Sequence, residues 1–346
     1  GKSFSLINLK PLNKISLTEA IKAEAQNLGF FAYGIAKAEA VDDDTARHIK
    51  DWIQKGNYAD MDYMTNYTDK RLDPRLLMNG VKSIVCVALN YAPQKTLPKG
   101  EYQLAAYALG KDYHDIIKSK LRQLASKFGF EDELHSDNPS TNKCRIFVDS
   151  GPILERYWAE KAGLGWTGKN HQLIIPHAGS MFFLGELFLD VELEYDSPIK
   201  SNCGKCHKCI DACPTNAISE GNEIDAGLCI SYQTIENKND ISNSIAIEMG
   251  DTIYGCDKCL NACPWNRFAQ PNNTPELQPK EELLNMTKEK WQNITEDEYR
   301  ELFKGSAVKR AKYKGLKRNI NAIACINKEK KLTLYPKQQD YDKKSE

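Results

Sequence analysis

Hydrophobic periodicity in the first two hundred residues predicts strands that alternate with helices. Val81–Leu89 is a continuous apolar run, as in a buried strand, and Asp112–Phe128 has apolar residues at helical spacing. This alternation is typical of an α/β domain, expected here over residues 1–195. The strands are predicted at Phe30–Ala36, Val81–Leu89, Arg145–Val148 and Met181–Leu189, and the helices at Asp112–Phe128 and at Leu17–Leu28, with Ser16 as N-cap and Gly29 as stop.

The pattern changes again near residue 271. From Pro271 to Pro279 the chain is rich in proline and asparagine, which predicts a linker. Helical periodicity resumes after it, so residues 271–346 are expected to form a linker and a short helical tail. The tail helices are predicted at Lys280–Asn285, Glu296–Phe303 and Ala307–Ile326.

Charge is informative only locally. The chain has 346 residues, more than one domain usually contains, and its 47 basic and 47 acidic side chains give a formal net charge of zero. Residues 304–331 are the exception, with ten basic residues and one acid. Such a run is usually a solvated helix face, but its concentration makes it the best candidate for phosphate contacts, through Lys309, Arg310, Lys312, Lys317 and Arg318.

The sequence gives no sign of a membrane or export segment. No apolar run reaches the length that spans a bilayer, and the first residues lack the basic stretch and apolar core of a signal peptide. We therefore expect a cytoplasmic protein without membrane contact, and a monomer.

Cysteine spacing carries the strongest chemical signal. Eight of the eleven cysteines lie between residues 203 and 263. The run C-x2-C-x2-C-x3-C-P, beginning at Cys203, is the spacing of bacterial ferredoxins with two 4Fe–4S clusters, in which the cysteine before proline binds the other cluster. A second run, C-x2-C-x3-C-P, begins at Cys256. The expected ligand sets are Cys203, Cys206, Cys209 and Cys263 for one cluster, and Cys213, Cys229, Cys256 and Cys259 for the other.

Zinc and disulfides are the alternative interpretations of these cysteines. Zinc sites usually use paired C-x2-C knuckles, in which the x3-C-P extension has no place. Disulfides would need an oxidising compartment, which nothing in the sequence indicates. Both are therefore disfavoured. The three cysteines outside the pattern, Cys86, Cys144 and Cys325, are interpreted as structural, because a lone cysteine usually behaves as a small buried hydrophobe.

The large N-terminal region implies more than electron transfer, since a bare metal-stapled carrier needs only about 60–80 residues. Asp149 follows a short apolar strand and precedes Ser-Gly-Pro. If desolvated there, its carboxyl would have a raised pKa and could donate a proton. It could equally cap a helix or form an Asx-turn. Neither a phosphate-binding G-x-x-x-x-G-K-[ST] loop nor a strand-linked G-x-G-x-x-G is present.

Five motifs occur together over residues 70–320. They are D-Y-H at Asp112, D-S-G-P-I-L-E-R at Asp149, A-G-L-G-W-T-G-K-N at Ala162, the eight cysteines, and G-S-A-V-K-R at Gly305. Together they resemble the epoxyqueuosine reductase family, cobalamin-dependent enzymes of the last step of queuosine synthesis on tRNA. The family's usual D-T-G-P is D-S-G-P here, and long family members have several HEAT-like helical repeats where this chain has about one.

The resemblance implies a fold, cofactors and roles. An α/β cobalamin-binding domain would precede a ferredoxin-like domain at residues 196–270 and a short HEAT-like helical tail. Two 4Fe–4S clusters would feed electrons to cobalamin, which reduces the epoxide of epoxyqueuosine at the wobble position of a tRNA anticodon, while Asp149 donates a proton. A low-potential electron donor is also implied. The cofactor contacts expected from the family pattern are Arg71, Asp112, Asp149, Leu173, Ile175 and Ser231.

Two other functions compete with this one. Corrinoid reductive dehalogenases share the cobalamin fold and paired clusters, but they usually carry an export signal and a tyrosine acid, where this chain has Asp149. A non-enzymatic two-cluster electron carrier is the second alternative. The large N-terminal region argues against it, and cobalamin binding would distinguish the two.

Overall fold

The computed structural model describes residues 13–221 and 223–334, with side chains up to residue 330. Its helices are α1 Lys14–Asn27, α2 Asp43–Gln54, α3 Thr68–Leu72, α4 Tyr113–Lys127, α5 Glu155–Lys161, α6 Lys208–Asp211, α7 Ile230–Ile235, α8 Asn243–Met249, α9 Lys258–Ala262, α10 Glu281–Leu284, α11 Lys288–Asn293, α12 Glu296–Leu302 and α13 Lys312–Leu334. Its strands are β1 Ala32–Lys37, β2 Ser83–Asn90, β3 Gln103–Leu104, β4 Glu131–Asp132, β5 Lys143–Phe147, β6 Trp166–Thr167, β7 Leu173–Ile174, β8 Phe182–Leu189 and β9 Thr252–Tyr254.

A five-stranded sheet in the order β1-β2-β8-β5-β4 forms the centre of the N-terminal half. The pairings are antiparallel except that between β4 and β5. The apolar runs predicted as buried strands occupy the middle of the sheet as β2 and β8, where both faces are covered. Mixed α/β structure is thus confirmed for this part of the chain.

Each face of the sheet packs against its own apolar layer. On one face, Ile21 of α1 and Leu121 of α4 cover Val87 and Leu187. On the other, Trp158 of α5 packs among side chains that include Ile84 and Phe188. Helix α5 therefore lies directly over the sheet, a position that matters for the site below.

A third core joins distant parts of the chain. Strand β3 pairs in parallel with β9, although about 150 residues separate them. Side chains from 97–109, from 230–254 and from the tail enclose the same apolar interior, with Tyr102, Tyr254, Trp291 and Phe303 almost fully buried. The helical C-terminus is therefore part of the folded body. Within the described ranges, no helix is both long and apolar enough to cross a membrane.

Several local predictions need correction. The side chain of Asn13, not of Ser16, caps α1, because its carbonyl oxygen accepts the Ser16 N–H at 2.8 Å. The helix predicted over Ala307–Ile326 is broken, since Ala307–Ala311 is 3-10 and α13 begins at Lys312 with φ +59°. The predicted linker is packed: Asn272 is 3% exposed and bonds the Ala92 carbonyl through its side chain at 2.8 Å.

The prediction that the three cysteines outside the cluster pattern are structural is confirmed for two of them and wrong for the third. Cys86 and Cys144 are buried at 1% and 3% exposure, on β2 and β5, which confirms their structural interpretation. Cys325 is exposed on α13, so the expectation that it fills a core was wrong. All eleven cysteines are free thiols in the structure.

Candidate active site and cluster centres

Asp149 lies at the centre of a hydrogen-bonded group at the end of β5. Its Oδ2 accepts the Tyr113 hydroxyl at 2.7 Å and lies 3.2 Å from Nε2 of His114. Nδ1 of the same histidine lies 2.7 Å from Oδ1 of Asp112, which also caps α4 by accepting the His114 backbone N–H at 2.9 Å. The start of α4 thus presents two polar side chains to one carboxylate.

The backbone around Asp149 forms a tight turn that few residues tolerate. Asp149 itself has φ +57°, a left-handed conformation that carbonyl-bearing short side chains accept more readily than others. Its N–H donates to Oε1 of Glu155 at 2.7 Å. Gly151 is required because a Cβ there would lie 2.6 Å from the Phe147 ring. The D-S-G-P-I-L-E sequence therefore builds the turn that presents the carboxylate.

Electrostatics place the proton on the histidine. Hydrogen bonds to Asp112 and to Asp149 raise the pKa of His114 to about 9. Burial acts to raise the pKa of the Asp149 carboxyl, but hydrogen bonds from His114 and Tyr113 outweigh it and hold that pKa below its ordinary value. Near neutral pH the site therefore holds an imidazolium beside a carboxylate.

The raised Asp149 pKa expected from the sequence was wrong in direction. The carboxylate is solvated on one side, with 55% of its side chain exposed, and it accepts two hydrogen bonds on the other. The alternative roles as a helix cap or Asx-turn residue do not apply either, because the described contacts of the carboxylate are with Tyr113 and His114. The group that carries a proton near neutral pH is His114.

Arg156 is an electrostatic neighbour of both Asp149 and the turn that joins β6 and β7. Arg156 of α5 is exposed, lies close enough to Asp149 to lower its pKa, and has no hydrogen-bond partner within the described ranges. Arg156 also neighbours His171, whose pKa burial lowers to about 4. Nε2 of His171 and Nδ2 of Asn170 are buried without partners in the part of the chain that the structure describes. The turn between β6 and β7 therefore carries unsatisfied polar atoms, and its Asn170 also lines a cavity that four cysteines surround.

Four cysteines surround one cavity of about 230 Å³, which Lys169, Trp265 and Arg267 also line. The indole N–H of Trp166 points at Sγ of Cys203 at 3.4 Å, and Nζ of Lys169 donates to the carbonyls of Gly204 and Cys206 at 2.8 Å each. The W-T-G-K-N motif thus holds this cysteine loop. The four are Cys203, Cys206, Cys209 and Cys263.

The remaining four pattern cysteines form a second group of electrostatic neighbours. Cys229 neighbours Cys213 and Cys256, and Cys259 neighbours all three. The backbone N–H of Ala217 donates to Sγ of Cys213 at 3.3 Å. Cys209 of the first group is also within reach of Cys259, so the two groups are adjacent. The eight thiols therefore lie in two adjacent groups, and the ligand set of each cluster stays a prediction.

The expected cofactor contacts are placed unevenly. Arg71 donates to the carbonyls of Tyr63, Met64 and Asn66, which gives it a role in holding that loop. Leu173 and Ile175 are 4% and 5% exposed in the apolar layer beneath α5. Ser231 lies in α7 beside Cys229, and Asp112 orients His114. Among these expected cofactor contacts, only Asp112 and Asp149 share a partner, which is the His114 ring.

The basic tail contributes less free charge than its sequence indicates. Arg310 forms a two-point ion pair with Glu236 at 2.8 and 3.0 Å. Lys317 donates to the carbonyls of Gln292 and Ile294. Arg318 donates to the carbonyls of Gln233, Asn237 and Asn239. Lys309 and Lys312 are exposed and have no such partner among the described residues.

Two family models and a curated relative match this chain. Residues 202–266 match the family described as 4Fe-4S double cluster binding domain, and residues 71–150 match Epoxyqueuosine reductase QueG, DUF1730. The epoxyqueuosine reductase of Cellulophaga algicola is 44% identical over 306 residues, covering 88% of this chain and 97% of the relative.

Two solved structures agree over nearly the whole length. An epoxyqueuosine reductase with an epoxyqueuosine-modified tRNA stem loop superposes with a TM-score of 0.81 at 28% identity, covering 94% of this chain and 86% of that one. The epoxyqueuosine reductase of Bacillus subtilis, with its aspartate catalytic loop swung out of the active site, gives 0.79 at 27% identity with the same coverage.

A double-cluster domain joined to a mixed α/β half, together with these relatives, defines an iron–sulfur reductase. The chain belongs to the epoxyqueuosine reductase family. Because the chain belongs to this family at 44% identity, the two alternative functions are rejected. They were the reductive dehalogenase and the non-enzymatic electron carrier.

Proposed function

We propose that this chain reduces epoxyqueuosine to queuosine in tRNA and that Asp149 delivers the proton. The observation that carries the proposal is the hydrogen-bonded series Asp112–His114–Asp149, which ends in a half-exposed carboxylate. Opening the epoxide breaks a C–O bond and creates an alkoxide, which needs a proton held nearby. Two electrons and two protons in total convert the epoxide into an alkene and water.

Protons reach the substrate oxygen through this series. His114 carries a proton near neutral pH and lies 3.2 Å from Asp149, whose carboxylate is half exposed. Asp149 accepts the proton as the alkoxide forms and passes it on, because its own pKa is too low for it to store one. The Tyr113 hydroxyl fixes the carboxylate orientation and, with its pKa raised by burial, stays neutral.

Electrons enter through the two cysteine groups. We assign one 4Fe–4S cluster to the cavity bounded by Cys203 and Cys263, and the other to the group around Cys229. Neighbouring thiols from the two groups support direct electron transfer between clusters. A low-potential electron donor of unidentified type would reduce one of the two clusters, which would pass electrons to the other. The division of the chain at residues 195 and 270 is part of the same proposal.

The polar groups near Asp149 fit cobalamin. A corrin carries many amide side chains, and the unpartnered atoms of Asn170 and His171 are polar groups that such amides would satisfy. Arg156, which is exposed, would contact the same ligand or its substrate. The remaining expected cofactor contacts would lie behind these polar groups and surround the cobalamin. They are Arg71, Leu173, Ile175 and Ser231. When bound, cobalamin supplies the low-potential chemistry at the epoxide carbon.

A surface for the anticodon loop lies beside Asp149. Tyr63 and Tyr67 are 44% and 60% exposed on the loop that Arg71 holds, and Tyr63 is an electrostatic neighbour of Asp149. Exposed aromatic rings recognise single-stranded RNA by stacking on its bases. Lys309 and Lys312 are the free cations of the tail candidates. We propose that these four side chains bind tRNA, in the cytoplasm and as a monomer.

The test is anaerobic reconstitution with iron, sulfide and cobalamin, followed by turnover of an epoxyqueuosine-containing stem loop. About eight irons, a bound cob(II)alamin EPR signal and queuosine formation are expected. Eight irons without corrinoid binding would return the chain to the electron-carrier alternative. Corrinoid binding without queuosine formation would contradict the assigned substrate.

A further inference from the structure

A buried acid lies beneath the catalytic turn. Glu186 is in the middle of β8, where it is opposite Cys86 of β2 and Phe147 of β5. Its side chain is 0% exposed, and both carboxyl oxygens lack a hydrogen-bond partner in the described part of the chain. An unpaired buried carboxyl is costly, so a residue of this kind needs a specific explanation.

Glu155 connects this acid to Asp149. It is the first residue of α5, and its Oε1 accepts the Asp149 backbone N–H at 2.7 Å. The carboxyl groups of Glu155 and Glu186 are neighbours that interact when one of them is protonated. Asp149 is therefore linked through its own backbone to a pair of acids, of which the deeper one has no other polar partner.

The charges around the pair favour a single shared proton. Burial and the nearby Asp149 charge raise the pKa of Glu155 to about 7. Burial and the Glu155 charge raise the pKa of Glu186 well above its ordinary value. The other ionisable neighbours are Cys86, whose burial raises the pKa of its thiol, and Arg156, which favours the Glu155 anion. Protonated Glu186 can donate to the Glu155 carboxylate, which in turn accepts from Asp149.

We propose that Glu155 and Glu186, sharing one proton, are positioning residues that anchor the turn carrying Asp149. This inference rests on the proposed function of Asp149 as the proton-delivering group. Glu155 fixes the turn through the Asp149 N–H, and Glu186 fixes the Glu155 carboxylate from below. Without this anchor the turn, already in a left-handed conformation at Asp149, has no side-chain partner holding its backbone N–H.

The anchor should weaken as pH rises. A carboxyl whose folded-state pKa is raised contributes stability that is fully present below the unfolded pKa and is lost as pH rises through the folded pKa. For Glu155 the change spans its ordinary value near 4.5 and about 7, and Glu186 extends the window upward. Above it, two adjacent anions repel each other and Glu155 moves from its place.

The first experiment compares Glu155→Ala with Glu160→Ala in the reconstituted holoenzyme. Glu160 is on the same helix and also accepts a backbone N–H, that of Thr167 at 3.0 Å, but it does not touch Asp149. Hydrogen-exchange mass spectrometry follows the peptide 147–155 without substrate. Faster exchange at least threefold in Glu155→Ala alone is expected, together with kcat lower by about 10²-fold at unchanged KM for the stem loop, the cost of a misplaced catalytic group.

Conservative variants separate positioning from general damage. Glu155→Gln keeps an acceptor for the Asp149 N–H and should restore most of the exchange protection. Glu186→Gln supplies a permanent N–H donor in place of the shared proton, so exchange of peptide 147–155, corrected for intrinsic rates, should no longer increase between pH 6 and 9. Unchanged exchange and kcat in Glu155→Ala, or an unaltered pH dependence in Glu186→Gln, would overturn the proposal.

Failure of the proposed function looks different. Full turnover by Asp149→Asn would remove the catalytic role of Asp149 without altering the exchange behaviour of the Glu155 variants. Loss of turnover in Asp149→Asn with no exchange response in Glu155→Ala would retain the acid and reject the anchor.

Discussion

Replacing Asp112 by asparagine should lower the pKa of His114 and move the alkaline limit of turnover toward neutral pH. The hydrogen bond to Asp112 is the largest cause of the raised His114 pKa, which stands at about 9 against an ordinary value of 6.5. At about 1.4 kcal/mol per pKa unit this is roughly 3 kcal/mol of preference for the imidazolium, an upper limit because both side chains keep some solvent contact. Asparagine still caps α4 by the same geometry.

The expected change is large at pH 8 and small at pH 6. Loss of about 1.5 pKa units would leave roughly a quarter of His114 protonated at pH 8, against about nine-tenths in the wild type, and the rate should fall about fourfold. Single-turnover formation of queuosine from pre-reduced enzyme, measured between pH 6 and 10, gives this profile. Asp115→Asn, on the exposed side of the same helical turn, is the matched control.

The pH dependence of thermal stability is a second, independent measurement of the charge on His114. Because the folded-state pKa of His114 is raised, its contribution to stability is complete below about pH 6.5 and is lost as pH rises through about 9. Asp112→Asn should reduce the decline of Tm across that window. A pH–rate profile and a Tm profile that both match the wild type would refute the proton-storing role of His114.

Other predictions concern the acid, the clusters and the RNA surface. Asp149→Asn should retain both clusters and bound cobalamin but lose at least about 10²-fold in single-turnover rate, and near-normal turnover would remove it as the acid. Cys229→Ser should halve the iron content and alter one EPR signal, whereas Cys325→Ser, at an exposed site, should alter neither; an unchanged iron count in Cys229→Ser would contradict the ligand set. Reversing the charge of Lys309 and Lys312 should weaken stem-loop affinity and reduce its salt slope by about 2, and unaltered binding at several salt concentrations would show that both lysines are only solvated surface.

The parts of the site predictable from sequence are those fixed by local spacing. The cysteine runs place three thiols within one short loop, and four of the eight thiols line one cavity. Asp149 could be located because it ends an apolar strand before a turn-forming sequence. Strands β2 and β8 were evident as continuous apolar runs because both of their faces are buried.

What the sequence could not supply depends on contacts between distant residues. The pKa of Asp149 is set by Tyr113 and His114 of α4, and no local pattern shows that this helix points its first turn at the end of β5. The pairing of Glu155 with Glu186 follows from sheet register and from the position of α5 over β8. An acidic residue inside an otherwise apolar strand was the available signal for Glu186.

The tail shows a similar limit. Its positive charges are regularly spaced as on a solvated helix, but Arg318 lies against the C-terminal end of α7 and donates to three carbonyls there. Guanidinium groups can satisfy several acceptors at once, which makes arginine suited to such a structural role. Helix α11, only six residues long, was missed because so short a segment carries little periodicity.

The third core has a consequence for biosynthesis. Tyr102 and Leu104 are made early, but the side chains that enclose them include Leu316 and Ile323, synthesised more than two hundred residues later. At 5–20 residues per second, these early residues would wait roughly 10–40 s for their partners. During that interval the half-formed core exposes aromatic surface on the ribosome. Cluster insertion before the tail emerges would therefore act on an open domain, and chaperone contact during translation should concentrate on residues 97–109.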